Sequence, residues 1–128
     1  MTTADNPADP AIPADLLTEV LEAVEDRLDG LALLLADIGA DRLAPDTGLR
    51  RFLGEVHSMK GTVRAFGFGH LAALCHRLED ALAGRAAFDD GLLARAAAFV
   101  QGLQAAQEDG RLDDAAALDR LAKRLELG

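Results

Sequence analysis

The sequence predicts an all-α fold, an up-down-up-down four-helix bundle with an additional C-terminal helix, on three observations. Apolar residues recur at alternating steps of three and four, the spacing of one helix face. The apolar half of the chain is mostly Leu and Ala, with no Trp, no Tyr and only five Phe among 128 residues, so strong helix formers abound while the aromatic residues that favour strands are scarce. Gly- and Pro-bearing segments divide the pattern into stretches of helix length, and short connections make consecutive helices antiparallel neighbours. The length suits one domain with one core.

Residues 1–12, rich in Pro, Asp and Ala and without periodicity, are expected to be a disordered leader, with the helical domain spanning 13–128. Pro13 fits the first turn of a helix, where its missing N–H costs nothing. Leu17, Leu21, Val24, Leu28, Leu31, Leu35 and Ile38 form the first stripe, with Gly30 as a point of bending. "GADRLAPDTG" breaks it, and Asp46 or Thr47 is placed to cap the second helix. Leu49, Phe52, Val56, Met59, Val63 and Phe66 form the second stripe, closed by "GFG" at 67–69. The third helix turns Leu71, Leu74, Cys75, Leu78 and Leu82 inward and stops near Gly84. Asp89 or Asp90 caps the fourth, whose apolar face is Leu92, Leu93, Ala96, Phe99, Val100 and Leu103. A shorter fifth helix carries Leu118, Leu121 and Leu125 on one side.

Candidate chemistry concentrates in the hairpin of the second and third helices, "HSMKGTVRAFGFGHLAALCHRLED". His57, Lys60, Gly61 and Arg64 follow one another at i, i+3, i+4 and i+7, which puts them on one face. That face is about 100° around from the core position Val56, so His57 should stand at the rim of the core. On the third helix His76 and Glu79 are offset by one residue from Cys75 and Leu78. Counting rise from the turn puts His57 at about 13 Å and Glu79 at about 16 Å, which lets the two side chains meet. A carboxylate accepting a hydrogen bond from one imidazole nitrogen fixes the tautomer and supports the charge that develops when the other nitrogen attacks. Lys60, a cation one turn along, would stabilise an arriving phosphoryl group. Gly61 would let a partner approach closely.

On "HSMKG" and "AFGFGHLAALCHRLED" the chain resembles the histidine phosphotransfer domains, most closely the version at the N-terminus of chemotaxis-type histidine kinases. The resemblance implies that His57 is the phosphorylated histidine, that Lys60 and Gly61 are its following pair, and that His76 and Glu79 complete a hydrogen-bonded network around it. "TVRA" departs from the run of small residues usual after Lys-Gly, and Arg64 on the His57 face bears on which partner docks. The implied partners are a histidine kinase catalytic domain and a response-regulator receiver domain. Mg2+ is implied on the receiver, with no cofactor on this chain. The resemblance leaves open a stand-alone protein or the first domain of a larger kinase. A helical adaptor that carries no phosphate is the alternative, and it would tolerate His57→Gln.

Other readings are set aside on physical grounds. A net charge of −9 lacks the basic patch of a nucleic-acid binder. The longest mainly apolar run, Leu31 to Leu35, is far short of the ~20 residues of a membrane span, and the N-terminus has no secretory pattern. A cytoplasmic monomer is the resulting expectation. "GFGHLA" satisfies a dinucleotide-binding spacing but follows a helix rather than a strand, and the absence of another nucleotide-binding motif implies that the chain does not phosphorylate itself. A metal site is not expected, since no two histidines have helical ligand spacing and Lys60 would repel a cation. Cys75 reads as a core thiol and His70 as structural.

Overall fold

A computed structural model of the chain describes residues 13–127. The predicted leader, 1–12, lies outside the described residues. Five helices follow in order: α1 (Ala14–Gly39), α2 (Pro45–Ala65), α3 (Gly69–Leu82), α4 (Asp90–Glu108) and α5 (Ala115–Arg124). There is no strand among the described residues. α1 packs between α2 and α4, α3 packs on α2, and α5 touches both α3 and α4, whose backbones do not approach each other closely. The architecture is the expected helical bundle with one extra helix, which covers the α3–α4 side.

The core is a continuous cluster contributed by all five helices, with Phe52 and Phe99 its largest fully buried side chains. The stripes of α2 and α3 match the buried faces, except that Phe66 at the C-terminal end of α2 is half-buried. In α1 the burial shifts near the N-terminus. Val20 is buried while Leu17 and Leu21 are half-buried, lining a shallow groove with Phe68 and Leu112 rather than lying between two helices. Leu93 of α4 is likewise half-buried. α1 runs through Gly30 as a single helix.

The α2 N-cap is Ala44, two residues before Asp46 and three before Thr47, the expected caps; it makes no side-chain hydrogen bond, and Pro45 opens the first turn. Asp46 instead accepts from the Thr47 N–H at 2.8 Å. Asp89 caps α4 by accepting from the Leu92 N–H at 2.7 Å. Gly67, at φ +86°, ends α2 in the left-handed region that glycine enters without a Cβ penalty. Phe88, in the loop before α4, is buried edge-on against Phe52 with ring centroids 5.6 Å apart, and its N–H donates to the Pro45 carbonyl at 3.2 Å.

Two long-range devices hold α3 in place. Phe68, the α3 N-cap, offers no side-chain cap, and the Leu71 N–H donates at 2.8 Å to Asp113 Oδ1 from the loop before α5. After α5, Arg77 of α3 donates to the Leu127 carbonyl at 2.8 Å, and Arg95 of α4 donates to the Leu125 carbonyl at 2.8 and 3.1 Å. Cations at unsatisfied carbonyls beyond a helix C-terminus are favoured by the helix dipole. α5 is thereby pinned to both neighbours, and α3 is held near its start and along its length.

Candidate functional site

His57 sits in the middle of α2, immediately after the fully buried Val56, and its side chain is 71% exposed. The 100° step between successive helical residues produces this contrast: one position fills the core, and the next clears its rim. Glu79 reaches across from α3, itself next to the buried Leu78 and only 19% exposed. The antiparallel hairpin brings the two to one level. His57 Nδ1 lies 2.9 Å from Glu79 Oε2. Because an ionised carboxylate only accepts, Nδ1 carries the proton in this contact, and Nε2 of the neutral ring presents a lone pair to solvent.

The other carboxylate oxygen is turned inward. Glu79 Oε1 is cut off from solvent and makes no hydrogen bond of good angle, and its compensation is the Lys60 ammonium, 2.5 Å away. Lys60 is only 12% exposed, so the pair is largely withdrawn from water. Burial alone would raise the Glu79 carboxyl. The Lys60 and His57 contacts outweigh it and hold the group below its ordinary value. Glu79 is therefore a carboxylate at neutral pH, with one oxygen fixed by a cation and the other free to orient His57.

His76 stands one turn before Glu79 on α3, with Nδ1 3.9 Å from Glu79 Oε1. Its Nε2 is 3.4 Å from Asp80 Oδ2. Asp80 is a neighbour of the cluster that the sequence signals only through its i+4 spacing from His76. Cys75, buried beneath the cluster, has its thiol pushed up to about 12 by burial and by the Glu79 charge, the Lys60 charge opposing. It is an inert core thiol at neutral pH.

The structure joins His57, Lys60, His76 and Glu79 in one cluster, as the spacing predicts. Lys60 is more deeply engaged than expected, tucked against Glu79 rather than standing free on the His57 face. Gly61 and Arg64 are exposed on α2, one and two turns beyond His57. His70 is exposed at the start of α3 and takes no part in the cluster's contacts. Among the described residues no group of three or more His, Cys, Asp and Glu side chains is arranged to hold a metal ion.

The chemistry available to such a cluster is nucleophilic attack by an exposed imidazole nitrogen, with a fixed carboxylate behind the ring. Comparison with protein-family models gives one decisive result: the model of the Hpt domain matches residues 15–127. The chain belongs to the Hpt family. The match takes in all five helices but for the first residue of α1, and the family's function, histidine phosphotransfer in two-component signalling, is the function of this Hpt chain. Hpt domains exchange phosphoryl groups with histidine kinases and with response-regulator receivers, and those are the partner classes here. A search of curated proteins and a search of solved structures each found no match. No helix among the described residues of this Hpt domain is long and apolar enough to cross a membrane.

Proposed function

We propose that His57 is the phosphoacceptor and that Nε2 is the reacting atom. The observation that carries this reading is the His57–Glu79 contact of 2.9 Å, which commits Nδ1 and leaves the other nitrogen on an exposed face. The Nε2 lone pair attacks the phosphorus of ATP bound to a kinase catalytic domain, or of an aspartyl phosphate on a receiver. The bond from phosphorus to the leaving oxygen breaks, and the phosphoryl group ends on Nε2. The ring becomes positively charged and its Nδ1–H stays on Glu79. Transfer onward reverses the step, with a receiver aspartate as the new nucleophile.

Glu79 orients the ring and stabilises its charge. Lys60 keeps Glu79 ionised and in place, and adds positive potential beneath the phosphoryl group. His76 supports Glu79 from one turn away, and Asp80 supports His76 in turn. Gly61 and Arg64 shape the surface that a partner meets. Mg2+ belongs to the receiver in this scheme and the chain supplies no nucleotide site. The "FGF" turn with His76 and Glu79 favours the chemotaxis-kinase branch of the family, acting in the cytoplasm as a monomeric domain.

Intact-mass analysis after incubation with phosphoramidate or an active kinase core tests the assignment. Wild type should gain one acid-labile phosphoryl group and His57→Gln none. Equal labelling of both would remove His57 from the role.

A further inference from the structure

We propose that Gly54 is a specificity-determining residue of this site, leaving bare the strip of α2 beside His57 so that a receiver domain can seat within bonding reach of Nε2. The inference rests on His57 being the phosphoacceptor.

Five of the eleven described glycines have a reason within the fold. A Cβ at Gly48 would collide with Ile38, and one at Gly102 with Leu121. Gly67, Gly84 and Gly110 have positive φ. Gly54 has neither reason. It lies inside α2, is exposed, and a Cβ there would meet nothing within 4 Å. Glycine in an exposed helix interior is less stable than alanine, so the folded chain loses stability here and gains no contact. What separates Gly54 from Gly30, equally open on α1, is its position. It stands three residues before His57, and Gly61, equally open, stands four after it. The two glycines bracket the nucleophile by one turn on either side of the same solvent face.

The flanks identify the occupant. Arg50 and Arg64 stand seven residues before and after His57, two turns away and nearly in line with it, in a chain of net charge −9. Both are exposed. Arg64 has no ion-pair partner among the described residues, and Arg50 has only a loose one in Asp46 at 4.0 Å. A basic-flanked strip around the nucleophile complements a receiver pocket, in which carboxylates hold a divalent cation beside the acceptor aspartate. Transfer requires reacting atoms about 3–3.5 Å apart, and misplacement by about 1 Å can cost on the order of 100-fold. On a helix face this close approach brings partner surface against residues one turn from His57, where a methyl group would hold it off.

The test compares wild type and Gly54→Ala, each as the full chain, in two rates: labelling of His57 by phosphoramidate, and transfer from phosphorylated His57 to a receiver with Mg2+. The receiver is the fastest acceptor from wild type in a panel of single-domain receivers. The proposal expects the ratio of receiver transfer to small-donor labelling to fall by about tenfold or more, while the melting temperature rises by a few degrees. A Gly54→Gln variant should lower the ratio further. A ratio within about twofold of wild type in both variants overturns the proposal, as does a fall in melting temperature for Gly54→Ala, which would give the glycine an internal packing role. Failure of wild type to label on His57 would sink the phosphoacceptor reading itself. Labelling of His57 with transfer to no receiver in the panel would overturn the Gly54 proposal alone.

Discussion

Glu79→Gln separates the two things that Glu79 does for His57. The amide oxygen can still accept from Nδ1–H at the 2.9 Å of the native contact, so ring orientation and tautomer survive, while the negative charge is lost. Two unit charges about 4 Å apart interact by about 1 kcal/mol in water and about 4 kcal/mol at an effective dielectric of 20. Glu79 is mostly covered and His57 mostly open, so about 2 kcal/mol is a reasonable middle value for a fully formed ring charge. That is roughly 30-fold in rate, and partial charge development in the transition state brings the expectation to about tenfold. The assay is the initial rate of acid-labile labelling by phosphoramidate, read by intact mass, with the helical signal followed in the same samples. Labelling within about twofold of wild type would refute the electrostatic role and leave Glu79 as a positioning residue only. The variant also strands Lys60 at 12% exposure without its counter-charge, so a lower melting temperature should accompany the rate loss. The same pair sets an acid limit. Because Glu79 is held below its ordinary value, its contribution to stability is present above the unfolded carboxylate range and is lost as pH falls through the native value. Glu79→Gln should flatten that part of the stability profile.

Two other outcomes follow from groups outside the reacting pair. Cys75, pushed up to about 12, should resist thiol reagents in the native protein at pH 8 and react fully in denaturant; its contribution to stability is complete below the ordinary thiol value of 9.0 and is lost progressively as pH rises towards about 12, so Cys75→Ala should soften the alkaline decline in melting temperature. Asp113→Ala removes the cap that the Leu71 N–H receives from the loop before α5 and should cost about 1 kcal/mol in denaturant unfolding, whereas an unchanged midpoint would mean that water satisfies that N–H equally well.

The sequence carried the fold and the centre of the site for the same reason: both follow from helical periodicity. A step of 100° per residue determines that Val56 is buried and His57 is not, and that His57, Lys60, Gly61 and Arg64 share a side of one helix. Leu78 and Glu79 obey the same rule on α3. With a short glycine turn between the helices, the meeting of His57 with Glu79 follows from rise per residue alone. Phe88 and Leu112 escaped because both lie outside regular helix, where no period marks a buried residue. Leu17 and Leu21 obey the period yet remain half-buried, since the stripe specifies a direction and not whether another helix lies there.

Sequence by itself determined the helices, the core stripes and the residues brought to the hairpin face, all of which are local or depend on one short turn. Tertiary structure alone decided how those residues are engaged. The burial of Lys60 against Glu79 depends on the packing distance between α2 and α3, which spacing along one helix does not express. The capping of α3 by Asp113, 42 residues away from Leu71, and the closure of Arg77 and Arg95 on the end of α5 depend on where a later part of the chain comes to rest. Periodicity assigns each side chain a face, and only the packed bundle assigns that face a neighbour.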